Sequence, residues 1–283
     1  MSEIRHFLIE RLNNDVFSII INITFYYNFY DFLDKYQKGI FDKKLCKNIV
    51  SNENIYNMLI NILKFIGSKE IRYSNDIDYF KILFNLIRTT KRIYFYNSMN
   101  NIIPPEIGIL INLIRINLIN NGIYELPHEI GKLKNLEKLY LSSNRLTHLP
   151  SSISGLKSLT ILDLTNNKLS KLPYEIGELK NLKNLDLSRN KLTYLPSSIS
   201  GLKSLTHLNV MHNFLLKLPK EIGDLESLTH LRLLGNNLKK IPKQIIKLKK
   251  LKLLTLSNNP ICLSKFRKEN IPPGIKFYFN GRK

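Results

Sequence analysis

The chain has 283 residues, 43% of them hydrophobic, with a mean hydropathy of −0.14. It has room for one long or two short domains with a real core. Its two cysteines, Cys46 and Cys262, exclude a disulfide framework and point to a reducing, cytoplasmic setting. Against 22 Asp/Glu stand 43 Lys/Arg, a net charge of +21, which raises the question of a nucleic-acid or anionic-membrane partner. Residues 239–283 alone carry 13 Lys/Arg against one acid, Glu269, so the excess is largely a property of the C-terminal end.

Residues 1–89 show no repeat. Apolar positions at three- and four-residue spacing predict helices near 3–12, 15–37, 52–66 and 76–90. The first apolar run, Val16 to Leu33, is interrupted by Asn22, Asn28 and Asp31, so it suits a buried helix and not a transmembrane segment. It comes too late for a signal peptide. The plainest role for these helices is to cover the open edge of the strand that follows. The stretch from Asp15-Val16-Phe17 through Leu33 to Leu45-Cys46 also resembles an F-box, although Asn13-Asn14 stands where that module opens with Leu-Pro. That resemblance implies an alternative function, a substrate adaptor of a ubiquitin ligase.

From residue 90 onward the sequence repeats every 23 residues. Asparagines recur at Asn121, Asn144, Asn167, Asn190, Asn213, Asn236 and Asn259, and prolines keep step from Pro104 to Pro242. One unit carries Leu136, Leu139, Leu141, Asn144, Leu146, Leu149 and Pro150. Its Leu-x-Leu pair predicts a short strand with both leucines inward and the residue between them outward. The asparagine follows the strand, where its amide can satisfy turn backbone, so stacked units should form a buried ladder. After Leu-Pro, Ile130, Leu133 and Leu136 recur at the three-residue spacing of a helical or 3-10 turn. No single unit can bury its apolar face alone, so the units must stack.

This pattern resembles the intracellular leucine-rich-repeat proteins whose units read Leu-Pro-x-x-Ile-x-x-Leu-x-x-Leu. The resemblance implies an α/β solenoid: a horseshoe with a parallel concave sheet and short convex helical or 3-10 turns, preceded by the α-helical N-terminal region. For function it implies protein recognition on the concave sheet. The expected boundaries are a helical region over 1–89 and a repeat domain over 90–283. The latter divides into a degenerate first unit (90–103), seven units (104–262) and a C-terminal cap (263–283). Counting back 23 residues puts the first strand at Ile93 and Phe95, and residues 275–279 suit a closing strand.

Alternation predicts three outward columns on the concave face. The first runs through Arg115, Lys138, Ile161, Asn184, His207, His230 and Leu253. The central one holds Asn117, Tyr140, Asp163, Asp186, Asn209, Arg232 and Thr255. The third runs Ile119, Ser142, Thr165, Ser188, Met211, Leu234 and Ser257. Residues 126–171 and 172–217 are two copies of one block, with Leu149–Thr160 and Leu195–Thr206 identical. In the stretch that follows, they differ at 161, 163, 164, 165, 166, 168 and 170, mostly on the strand face or the turn after it. Divergence there assigns specificity to that face; drift at exposed positions is the competing account.

Three constellations stand out. Asp163 and Asp186 are like charges on neighbouring strands, either docking for a partner's Lys or Arg or simply solvated. A general acid–base pair would need a pocket and a nucleophile beside them. His207 and His230 are also neighbours; zinc needs three or four convergent ligands, so a partner-facing pair that charges below pH ~6.5 is the better reading. Met211, Leu234, Leu253 and, further along, Ile161 put apolar side chains beside Arg232, the composition of a contact hot spot. Together with Tyr140 these residues form the candidate partner-binding set.

The repeated lysines, Lys134, Lys157, Lys180, Lys203 and Lys249 on the convex turn and Arg145, Lys168 and Lys191 after the asparagine, lie off that face. They suit a solvated surface first and an anionic contact second. No P-loop, His-Glu-x-x-His or Gly-x-Ser-x-Gly motif occurs, so neither an enzyme nor a cofactor is expected.

Overall fold

The computed structural model describes residues 90–94, 101–261 and 274–278. The chain divides into two units after Tyr56, and every described residue belongs to the second. The helices expected over 1–89, the F-box-like stretch, Phe95 and residues 262–273 lie outside the described residues.

The described residues contain nine strands of three residues each: β1 (Arg92–Tyr94), β2 (Arg115–Asn117), β3 (Lys138–Tyr140), β4 (Ile161–Asp163), β5 (Asn184–Asp186), β6 (His207–Asn209), β7 (His230–Arg232), β8 (Leu253–Thr255) and β9 (Lys276–Tyr278). They form one parallel sheet in chain order. From β1 to β8 each strand pairs with the next at an offset of 23 residues, Leu139 opposite Leu162 and Leu162 opposite Leu185. The degenerate first unit keeps the register, with Ile93 opposite Ile116. The expected closing strand is present as β9, which sets Phe277 opposite Leu254. A three-residue strand is too short to persist alone. Here each inner strand has a neighbour on both sides, and its central Leu or Ile is buried in the shared core.

Between strands, seven 3-10 turns cover the other side of the core: η1 (Pro105–Ile109), η2 (His128–Lys132), η3 (Ser151–Gly155), η4 (Tyr174–Glu178), η5 (Ser197–Gly201), η6 (Lys220–Asp224) and η7 (Lys243–Lys247). A proline with φ near −67° precedes each turn, Pro127 before η2 for example. The Ile130 N–H donates to the Pro127 carbonyl, the Leu133 N–H to Ile130 and the Leu136 N–H to Leu133. These successive three-residue links place Ile130, Leu133 and Leu136 on one side, where all three are buried.

The asparagine ladder forms as expected. Asn144 Oδ1 accepts the backbone N–H groups of Asn121 and Ile123, each at 3.0 Å. Its Nδ2 donates to the carbonyls of Leu118 at 2.8 Å and Leu141 at 2.9 Å. One side chain thus satisfies buried backbone of two units. Repetition of leucine and asparagine did not reveal what aims it. The residue before each ladder asparagine is left-handed, from Asn120 (φ 58°) through Arg189 (φ 56°) and His212 (φ 53°) to Asn258 (φ 56°). Gly235 holds the same conformation at φ 69°. Asn and Gly tolerate that region well; Ser143, Arg189 and His212 obscure the pattern.

Candidate partner-binding surface

The sheet register assembles the first two columns as expected, Arg115 to Leu253 and Asn117 to Thr255, and β9 extends them with Lys276 and Tyr278. The third column is a partial correction. Ser188 and Ser257 are buried, at 7% and 9% exposure, and Met211 and Leu234 are half-buried, because the chain is already turning into the left-handed residue.

Central-column polar residues serve their own backbone before any partner. Asp163 Oδ1 accepts the Thr165 N–H at 3.0 Å, and Asn209 Oδ1 accepts the Met211 N–H at 3.1 Å. Asp186 is the most engaged. Its Oδ1 takes the Ser188 N–H at 2.9 Å and the Ser188 hydroxyl at 2.6 Å, and its Oδ2 takes the Asn209 amide at 2.9 Å. Among the described residues Asp163 Oδ2 receives no such bond, so of the two carboxylates Asp163 keeps an oxygen for a partner.

Tyr140 is also committed. The Arg115 guanidinium lies 4.8 Å from the centre of its ring and 5.6 Å from that of Tyr94, held between two aromatic faces. This explains how Arg115 Nε is buried without a hydrogen-bond partner.

His207 and His230 stack, with ring centroids 4.3 Å apart and planes 10° from parallel. The Thr229 hydroxyl donates to the Thr206 carbonyl at 2.9 Å and lies 2.8 Å from His230 Nδ1. Its one proton being used, it must accept from Nδ1–H, which leaves Nε2 as the acceptor of the neutral ring. Thr206 fixes His207 in the same way. Parallel rings cannot converge their Nε2 lone pairs on one ion, and among the described residues no three His, Cys, Asp or Glu side chains cluster to hold a metal.

Burial lowers the pKa of His230 below its ordinary 6.5, helped by positive charge on His207, Arg232 and Lys252. Above pH 6.5 the ring is neutral folded or unfolded. As pH falls from 6.5 through the lowered folded value, the unfolded chain takes the proton first, so stability is lost across that window. Between pH 7.5 and 5 the wild type should therefore lose more Tm than His230→Gln. Equal losses would remove His230 as the titrating group.

The ten candidate residues line two adjoining depressions. One, of about 280 Å³, takes in Tyr140, Ile161, Asp163, Asp186 and His207. The other, of about 870 Å³, takes in Met211, Leu234 and Leu253. His230 and Arg232 line both. Ile161 is therefore parted from the other apolar residues. All four are half-buried, whereas the sequence suggested an exposed patch.

Apart from Tyr94 and Tyr278 at the two ends of the sheet, the exposed large apolar side chains lie elsewhere. A groove of about 1450 Å³ follows the Leu-Pro steps, walled by Tyr124, Tyr174 and Tyr194 between Pro127, Pro150 and Pro173. Tyr174 is 69% exposed, and Phe214 and Leu216 are exposed at 53% and 58%. Alternation cannot find these positions, because they lie outside the strands. The signal available was the block comparison, in which Lys168 and Ser170 of one copy become Phe214 and Leu216 of the other. The two basic ladders are exposed and off the sheet.

The family model described as "Leucine rich repeat" matches residues 111–169 and 157–215. The fold is a leucine-rich-repeat solenoid. Among solved structures, a leucine-rich-repeat protein of Leptospira interrogans is 44% identical, with a TM-score of 0.57, over 59% of this chain and 42% of its own. The leucine-rich-repeat ectodomain of the plant membrane receptor kinase GASSHO1/SCHENGEN3 from Arabidopsis thaliana, solved in complex with Casparian strip integrity factor 2, is 32% identical with a TM-score of 0.53. That match covers 56% of this chain and 20% of the ectodomain. An internalin C2 from Listeria monocytogenes, 23% identical over 78% of this chain and 90% of its own, has a TM-score of 0.57 and shares the architecture. The chain thus spans less than half of the leptospiral protein and a fifth of the plant ectodomain. No curated protein matches the sequence. Among the described residues no helix is long and apolar enough to cross a membrane.

Proposed function

We propose that this solenoid is a non-catalytic protein-interaction module, acting as a scaffold or in signalling, and that it holds a protein partner against its concave sheet. The observation that carries the reading is the meeting of the ten candidate residues in two depressions joined at His230 and Arg232. The leucine and asparagine framework behind them is buried and hydrogen-bonded, so the fold rests on that framework more than on the concave side chains. The plant ectodomain, solved in complex with Casparian strip integrity factor 2, supports recognition by this architecture. Units 104–262 supply the ten candidate residues, with the unit at 90–103 and the segment 263–283 as the caps of the repeat domain. The 23-residue spacing and the scarcity of cysteine support the intracellular repeat type and a cytoplasmic setting.

The test is capture of partners by the tagged full chain, comparing wild type with Met211→Glu, Leu234→Glu and the convex control Lys157→Glu. A hot-spot change of about 2 kcal/mol weakens binding roughly thirtyfold, so Leu234→Glu should lose a partner that Lys157→Glu retains. If every partner survives both concave changes, the concave face is not the binding surface.

A further inference from the structure

Beyond Arg92, Arg115 and Lys138 in the first column of β1 to β3, the concave face is divided by charge. Asp163 and Asp186 occupy the central column on β4 and β5. Beyond Asn209 the acids stop. Arg232 on β7, Lys252 just before β8 and Lys276 on β9 follow on three successive strands. All three line the larger depression, and among the described residues no carboxylate lines it. All three are exposed, and none has an ion-pair partner among the described residues. None of the three lies opposite another in the register, so each can meet a separate negative group while together they give the depression a positive rim. Beneath this rim the floor is aliphatic, formed by half-buried Met211, Leu234 and Leu253.

We propose that this C-terminal depression is the docking site for an acidic linear peptide segment of the partner, whose Asp or Glu side chains meet Arg232, Lys252 and Lys276 while an aliphatic or aromatic residue enters between Met211, Leu234 and Leu253. The inference rests on the concave-face reading and names the chemistry of what binds there. The chemistry of the floor separates peptide from nucleic acid. Bases are held by stacking on aromatic faces interleaved with cations, and of the two rings that line this depression among the described residues, His230 already stacks on His207 and only Tyr278 is left. Met211 and Leu234, neighbours in the third column, suit a Leu, Ile or Phe anchor instead, with Leu253 across the central column from them. The size is also that of a peptide. From β6 to β9 is three strand spacings of ~4.8 Å, which four or five extended residues cover at ~3.3 Å each.

The probe is a displayed random dodecapeptide library selected on the immobilised full chain, followed by fluorescence anisotropy with the synthetic consensus peptide. Selected sequences should pair Asp or Glu with an adjacent large apolar residue. The double variant Arg232→Glu/Lys276→Glu, at two exposed positions, should weaken the consensus peptide at least tenfold, and Lys157→Glu should leave it unchanged. Selection with no enrichment, enrichment in basic or uncharged sequences, or acidic peptides indifferent to the double variant would each overturn the proposal. So would displacement of the peptide by an equal concentration of a single-stranded oligothymidine. Loss of captured partners with Leu234→Glu but no acidic enrichment would sink this inference and leave the concave-face reading standing. Capture of every partner despite both Met211→Glu and Leu234→Glu would sink the reading itself.

Discussion

Replacing Asn167 with leucine is expected to cost about 2–4 kcal/mol, although the volumes are close and leucine is the commonest residue of the surrounding core. Asn167 Oδ1 accepts the Leu146 N–H at 3.0 Å, and its Nδ2 donates to the carbonyls of Leu141 at 2.9 Å and Leu164 at 3.0 Å. Leucine orphans that buried N–H outright. The carbonyls fare better, because Leu141 keeps the Asn144 amide and Leu164 keeps that of Asn190. Each rung thus leans on the next, and the loss is spread over three units. Asn167→Asp separates the two roles of the amide. It preserves an acceptor for Leu146 but sets a carboxylate against two carbonyl oxygens, which raises its pKa in the folded state. That variant should be less stable than Asn167→Leu at pH 7 and recover as pH falls and the protonated carboxyl donates again. Urea titrations at pH 7 and 4.5, read as shifts in midpoint, check both variants. A midpoint for Asn167→Leu within experimental scatter of wild type would mean that the ladder does not hold the units together.

The same rung shows why this architecture was legible in the sequence and the surface only partly so. A side chain that serves backbone in two units must recur at a fixed interval, as must a leucine that packs on the equivalent leucine before it. Asn144, Leu139 and Pro150 therefore announce themselves by period, and the register from Ile93 to Phe277 follows. Outward residues answer to no such constraint. Alternation could say which of them face out of the sheet, but not that Arg115 lies between Tyr94 and Tyr140, nor that Asp186 is bound by Ser188 and Asn209. Those are contacts between particular side chains of neighbouring strands or columns, and each occurs once. The Leu-Pro groove was missed for a related reason. Tyr124, Tyr174 and Tyr194 occupy different positions of their units and meet only after the units stack.

Stacking itself can be tested at a single hydrogen atom, and there the second large effect is expected. A Cβ added at Gly177 in η4 would fall 2.2 Å from the Ser198 carbonyl oxygen of η5. That oxygen belongs to backbone and cannot swing aside as a side-chain tip does. Gly177→Val should therefore cost about 3 kcal/mol, the upper end of ordinary overpacking, by forcing the two turns apart. In η7 the equivalent position is occupied by Ile246, a branched residue that is 40% exposed. No further turn among the described residues stacks on it, so Ile246→Gly should change stability by only about 1 kcal/mol, the cost of backbone freedom. Thermal unfolding of the two variants distinguishes a requirement set by the neighbouring unit from one set by the turn. If Gly177→Val matches wild type, the units are not held at the spacing the ladder requires. If it folds but is less stable, its consequence reaches the other side of the core. The chain entering β5 and leaving it for β6 passes through those two turns. Spreading them should misalign Asp163, Asp186 and His207 and weaken binding across the concave face, from a position that touches no partner.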